Sequence, residues 1–175
     1  MQKTTQAPQV SPAIPDPNAE NAAWGAALVA EYQRRIGEKG ATKTRRGRAA
    51  RGVVLARQHY RMRCQGRMPV DSADSQSMFT EAVCDVLHYA DGWYTASAVL
   101  DAAFVIHQAA TPPALPEPAA DPRTLEILAS LVADLCMTAA AMFNVAVEDV
   151  ADVAETDFLD DVDEARFNAV RAVRN

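Results

Sequence analysis

Three residues near the middle of the chain have types and a spacing that could hold a metal ion. Glu81, Asp85 and His88 are separated by four and then three positions, so a helix would present all three on one face. A histidine beside carboxylates at this spacing can bind a divalent cation in a helical bundle, provided that other helices supply further ligands. The sequence therefore admits a helical metal-dependent hydrolase, with an exposed polar helix face as the alternative.

Other signatures of catalysis are missing from the sequence. It has no Gly-x-Ser-x-Gly elbow and no glycine-rich phosphate-binding loop. Cys64, Cys84 and Cys136 lie far apart and form no Cys-x-x-Cys pair, which favours buried free thiols over a redox motif or a zinc knuckle. We therefore predict no catalytic residue and no cofactor, and we favour a non-enzymatic protein.

Positive charge is concentrated between residues 34 and 67. Twelve Arg and Lys residues lie in this window with a single acid, Glu38, although the whole chain has a net charge of −6. Arg-rich segments bind phosphates by releasing condensed counterions. One hypothesis is a nucleic-acid-binding protein that uses four arginines and one aromatic ring from this segment: Arg45, Arg46, Arg48, Arg51 and Tyr60. The alternative is that the segment folds against the acidic stretch at residues 148–164, within the chain or in a neighbouring subunit.

Negative charge is concentrated near the C-terminal end of the sequence. Nine Asp and Glu residues occur between positions 148 and 164, with no Lys or Arg among them. Such a stretch could imitate a phosphate backbone and contact a partner through four of its members: Asp157, Asp160, Asp161 and Asp163. The alternative is a solvated helix face, which is the more general behaviour of charge runs.

One apolar stretch, residues 128–147, raises the question of a membrane span. Asp134 near its middle would cost ~2.5–3.5 kcal/mol in a bilayer, and the stretch is rich in Ala rather than in Leu and Ile. We interpret it as a buried core helix and predict no membrane contact. The odd number of cysteines and the polar N-terminal residues, which lack an apolar run, predict a cytoplasmic protein.

The elements that position these residues are predicted to be helices throughout. The composition is 49% hydrophobic but only 6% aromatic, and the abundance of Ala favours closely packed helices. We predict an all-α fold, a compact bundle or orthogonal array of about five to seven helices. The third and fourth helices, near 71–90 and 95–108, are expected to form an antiparallel hairpin, and 147–175 to form one or two helices interrupted near Thr156.

The chain divides into four predicted parts. Residues 1–15 read as a disordered tail, 16–110 as a basic helical half and 111–122 as a linker with five prolines. Residues 123–175 read as an apolar helix followed by acidic helices, and they are expected to pack with 16–110 as one domain.

The pattern as a whole predicts a regulatory or interaction protein that binds another macromolecule. A protein partner is favoured, through charge steering and an apolar helical patch, and so is assembly into a homo-oligomer. An accessory or inhibitory protein of a phage, a plasmid or a defence system would have this character. Nucleic-acid binding through residues 34–67 and the helical hydrolase remain the two alternatives.

Overall fold

Residues 17–38, 44–108 and 124–173 are described by a computed structural model of the protein. Six α-helices account for most of these residues, and no strand occurs among them. The helices are α1 (Pro17–Ile36), α2 (Arg45–Arg63), α3 (Ser72–Ala90), α4 (Ala96–Gln108), α5 (Leu125–Phe143) and α6 (Val147–Val173). The predicted all-α fold is confirmed. The predicted tail (1–15) and proline-rich linker (111–122) lie outside the described residues.

Short polar side chains define several of the helix ends. The Thr44 hydroxyl accepts a hydrogen bond from the Gly47 amide at the start of α2, and the Asp71 carboxylate accepts one from the Asp74 amide at the start of α3. Both arrangements satisfy an amide that the helix itself leaves unpaired. At the other end of α5, Asn144 adopts the left-handed conformation with φ of 54°, a common way for a helix to stop.

Helix α5 lies at the centre of the molecule. Every residue from Ile127 to Ala139 is buried, and the helix contacts the five other helices. It is long and apolar enough to cross a membrane, but 78% of its most apolar 18-residue window is buried against the rest of the protein. Its apolar surface is thus covered by protein, as predicted for a core helix.

Two expectations about the helices are corrected by the structure: the pairing of α3 with α4, and a break in the acidic region. Helices α3 and α4 touch only slightly and form no closely packed hairpin, because the apolar face of α4 lies along α5 instead. The acidic region forms one continuous helix across Thr156. The Thr156 hydroxyl donates a hydrogen bond to the Asp152 carbonyl one turn earlier, an arrangement that a helix accommodates without a break.

The inward face of α2 is unusual because half of its buried residues have ionisable side chains. Its buried residues are Arg48, Arg51, Gly52, Leu55, Ala56 and His59. Their spacing of three and four residues is that of a core-facing stripe. Helix α2 therefore turns part of its positive charge into the protein, toward α5 and α3.

Candidate functional site

The four arginines predicted to bind nucleic acid divide into two pairs. Arg45 and Arg46 are exposed at the start of α2, whereas Arg48 and Arg51 are buried. The fifth residue of that prediction, Tyr60, is half-buried and packs against the core. Sequence reasoning missed this division because it weighed charge density and not the helical phase of each arginine relative to Leu55.

Arg48 and Arg51 bind one buried carboxylate on the central helix. Arg48 Nε donates to Asp134 Oδ1 at 2.5 Å, and Arg51 donates to Asp134 Oδ2 from Nη2 at 2.8 Å and from Nε at 3.0 Å. The Arg51 guanidinium also lies 5.4 Å from the centroid of the Tyr32 ring, within the range of a cation–π contact. These interactions clamp α2 onto α5, and the two guanidinium groups are occupied by Asp134.

Burial is the largest cause of the pKa shifts of two residues here, Asp134 and Tyr32. Desolvation raises the pKa of Asp134 above its ordinary value, and the charges and hydrogen bonds of Arg48 and Arg51 offset part of that rise. Desolvation, followed by the charge of Asp134, also raises the pKa of Tyr32. A fully enclosed carboxylate of this kind depends on its two cations to stay in the core.

A second buried carboxylate joins α2 to α3. His59 Nε2 donates to Asp85 Oδ2 at 2.6 Å, and Arg63 Nη1 donates to Asp85 Oδ1 at 2.9 Å. Arg63 also donates to Asn21 of α1 at 3.3 Å. Asp85, predicted as a metal ligand, is therefore saturated by cationic and imidazole donors of the neighbouring helix.

The other two predicted metal ligands point elsewhere. Glu81 is half-buried at the edge of α3, 4.0 Å from Arg63, and burial raises its pKa. His88 faces α6, where its Nε2 donates to Asp161 Oδ2 at 3.1 Å. Asp85 and His88 thus contact different helices, because residues three positions apart on a helix are displaced by about 60° around its axis and α3 is buried on both sides.

The neighbours of His88 are residues that the metal hypothesis did not include. Cys84 lies one turn before His88 on α3, and the Cys84 thiol, the His88 imidazole and the Asp161 carboxylate lie within 4.8 Å of one another. Burial, followed by the charges of Asp85 and Asp161, raises the pKa of the Cys84 thiol. The spacing of Cys84 and His88 was readable from the sequence, but the approach of Asp161 was not.

The predicted acidic site also divides. Asp157, Asp160 and Asp163 are exposed on α6, whereas Asp161 turns inward to His88 and to Asn21, whose amide donates to it at 3.0 Å. The exposed side of α6 also carries three large apolar side chains: Val153 (48% exposed), Leu159 (51%) and Phe167 (67%). The outward face of α6 (Val153, Leu159, Asp160, Asp163, Phe167) is therefore both acidic and apolar.

The outward surface of α2 has the opposite charge. Arg57 and Arg61 are exposed and line a cavity of about 680 Å³ together with Val54, Met62 and Met68. Among the described residues, helices α2 and α6 make no contact with each other. In the described part of the chain, the ion pairs of the basic segment therefore do not involve the acidic stretch, and both charged faces remain open to solvent. The acidic partners in these ion pairs are Glu31, Glu38, Glu81, Asp85 and Asp134.

Substitution of Asp157 tests the repulsion within the acidic helix. Desolvation and the nearby Asp161 and Asp160 raise the pKa of Asp157. When the pKa of a carboxyl is higher in the folded than in the unfolded state, the free energy of unfolding is larger with the carboxyl protonated than with it ionised. This stabilisation is present at low pH and is lost as pH rises from about 4 through the raised pKa. We expect Asp157→Asn to raise the melting temperature at pH 7 by about 1 °C, given ~0.2–0.5 kcal/mol for a like-charge pair one turn apart.

The same melting experiment at pH 3 provides the internal control. Both proteins carry a neutral side chain there, so the difference should vanish. Asp101→Asn, at an exposed position of α4, should show no comparable gain at pH 7. A gain of equal size at both pH values would contradict an electrostatic origin.

Comparisons with protein-family models, with curated proteins and with solved structures find no match to this chain.

Proposed function

We propose that this chain is a non-enzymatic interaction protein that binds a basic protein partner through the outward face of α6. The observation that carries the proposal is the exposure of three large apolar side chains among carboxylates on one helix. Isolated exposed apolar residues are ordinary on soluble proteins, but a row of them bordered by charge is typical of an interaction site.

The spacing of these residues matches the recognition of a helix by a groove. Val153, Asp160 and Phe167 recur every seven residues, so they form one stripe along α6. Leu159 and Asp163 lie beside that stripe. Apolar anchors at such spacing enter the groove of a partner, and the surrounding charges select the partner and accelerate the encounter.

Charge complementarity indicates the chemistry of the partner. The outward face of α6 has exposed carboxylates at Asp160 and Asp163, with Asp157 exposed beside it, and the only exposed cations on α6 are Arg166 and Arg171 among the residues whose side chains are described. A partner with an apolar groove bordered by Lys or Arg would bury the apolar anchors and neutralise the carboxylates. The same carboxylates would repel nucleic acid.

Affinity capture with a matched pair of variants tests the proposal. Tagged protein is incubated with lysate, with and without nuclease treatment, and the recovered material is identified for three baits: the parent chain, Leu159→Ser with Phe167→Ser, and Val70→Ser. Val70 is 90% exposed and lies outside α6, so its variant controls for the loss of exposed apolar surface. We expect a basic protein to be recovered by the parent and by Val70→Ser, and to fall at least ten-fold with the α6 variant.

Three other results would contradict the proposal. Equal recovery by all three baits would exclude the outward face of α6. Recovery of a copy of the same chain alone, confirmed by light scattering, would identify the face as a self-association surface. Recovery only of nuclease-sensitive material would favour the second candidate function, nucleic-acid binding by the arginines of the basic segment that remain exposed: Arg34, Arg45, Arg46, Arg57, Arg61 and Arg67.

A further inference from the structure

We propose that Cys84, His88 and Asp161 form a binding site for a thiophilic divalent transition metal, zinc above all, that bridges α3 and α6. The site differs from the Glu81, Asp85 and His88 set, with which it shares only the histidine. It also shares no residue with the proposed protein-binding face, because Asp161 contacts His88 and is not among the residues of that face.

The geometry of the three ligand atoms is close to that of a metal site. Cys84 and His88 are one helical turn apart on α3, so both point toward α6. The three ligand atoms lie within 4.8 Å of one another, and His88 Nε2 is 3.1 Å from Asp161 Oδ2. Tetrahedral zinc with bonds of about 2.0–2.3 Å separates its ligand atoms by roughly 3.3–3.8 Å, so a contraction of about 1 Å closes the site.

The donor set selects the kind of metal. A thiolate and an imidazole are ligands of zinc, cobalt and similar divalent transition metals, whereas magnesium and calcium require oxygen ligands. The thiolate of Cys84 and the carboxylate of Asp161 would together balance the charge of a divalent ion. The metal takes the place of the proton on His88 Nε2, the ring carries its proton on Nδ1 instead, and the proton of the Cys84 thiol is released to solvent.

The surroundings hold the ligands in place. Cys84 and His88 are each only 5% exposed, and the Phe158 ring lies 4.8 Å from the His88 ring, centroid to centroid. Asn21 of α1 donates to Asp161 Oδ2 at 3.0 Å, which orients the carboxylate as an outer-shell residue does in metal sites. The Asp161 side chain is 42% exposed and provides a route for the ion from solvent.

Cobalt(II) titration gives a direct test, because a thiolate bound to cobalt produces an intense near-ultraviolet charge-transfer band. The chain contains only three cysteines, so the double variant Cys64→Ser with Cys136→Ser retains Cys84 as its sole thiol. We expect chelator-treated, reduced full-length protein to bind one cobalt ion with this band, and the double variant to retain it. Zinc should displace the cobalt and raise the melting temperature.

Ligand and control variants assign the site. Cys84→Ser should abolish the charge-transfer band, and His88→Gln and Asp161→Asn should each weaken zinc binding at least ten-fold. Glu81→Gln should bind zinc like the parent. Any of three results would overturn the proposal. The parent protein could lack the band, the band could survive Cys84→Ser, or zinc affinity could fall with Glu81→Gln and not with Asp161→Asn. The parent and the double variant by themselves show whether Cys84 binds cobalt, so misfolding of a ligand variant does not obscure that result.

Discussion

Replacing Asp134 with alanine should destabilise the protein by about 3–5 kcal/mol. The substitution would leave Arg48 and Arg51 buried without their shared counter-charge, and both guanidinium groups have lost most of their contact with water. Urea unfolding followed by far-ultraviolet circular dichroism measures the loss. A loss of this size is a large fraction of the about 5–15 kcal/mol by which a folded protein is ordinarily stable.

Two further variants identify the cause of the loss. Asp101→Ala makes the same chemical change at an exposed position of α4 and should alter stability by no more than about 0.5 kcal/mol. The triple variant Arg48→Met, Arg51→Met and Asp134→Leu removes all three buried charges together, and should be much more stable than Asp134→Ala because no unpaired charge remains. If the triple variant were as unstable as Asp134→Ala, loss of packing would explain the effect better than unpaired charge.

Gly52→Ala should destabilise the protein by about 1–3 kcal/mol, although alanine is the better helix former. A Cβ atom at position 52 would clash with the Thr138 hydroxyl and would lie 2.6 Å from the Asp134 carbonyl oxygen. Both atoms belong to α5, and the Thr138 hydroxyl already donates to that carbonyl at 2.5 Å. Helices α2 and α5 would have to separate, which would also lengthen the contacts of Arg48 and Arg51 with Asp134.

The sign of the stability change caused by Gly52→Ala distinguishes a packing clash, which would destabilise the protein, from helix propensity, which would stabilise it. Ala50→Gly, at an exposed position two residues earlier in α2, should cost about 1 kcal/mol through propensity alone. The two substitutions are opposite in chemistry, yet both should destabilise the protein in urea unfolding. A stabilised Gly52→Ala protein would show that α2 and α5 approach less closely at this point.

The helices could be predicted from sequence because their signals are local. Asp71 caps α3 and Asn144 ends α5, as side-chain chemistry at those positions leads one to expect. The buried face of α3 follows from apolar spacing alone, as does the central place of α5. The lack of a close α3–α4 hairpin could not be predicted, because a helix with one apolar face can pack against any neighbour that offers a matching surface.

The sites were harder to predict because charged residue types predict exposure to solvent, whereas several of the charged residues in these sites are buried. Arg48, Arg51 and Asp134 have the residue types of a surface, and only the approach of α2 to α5 makes them a buried cluster. Asp161 belongs to an acidic run that predicts a solvated helix face, yet its position on α6 directs its side chain to His88. Exposed acids on either side of it, Asp160 and Asp163, behave as the charge run predicts.

The sequence by itself determined the helical class, most helix ends, the identity of the central helix and the separation of positive from negative charge. These properties depend on side chains a few positions apart, whose interactions survive in any packing of the helices. Only the tertiary structure decided which arginines face Asp134, which carboxylates face solvent, and that Cys84, His88 and Asp161 meet. The reason is that each of these outcomes depends on the rotation of one helix against another, which the short-range pattern of a single helix leaves undetermined.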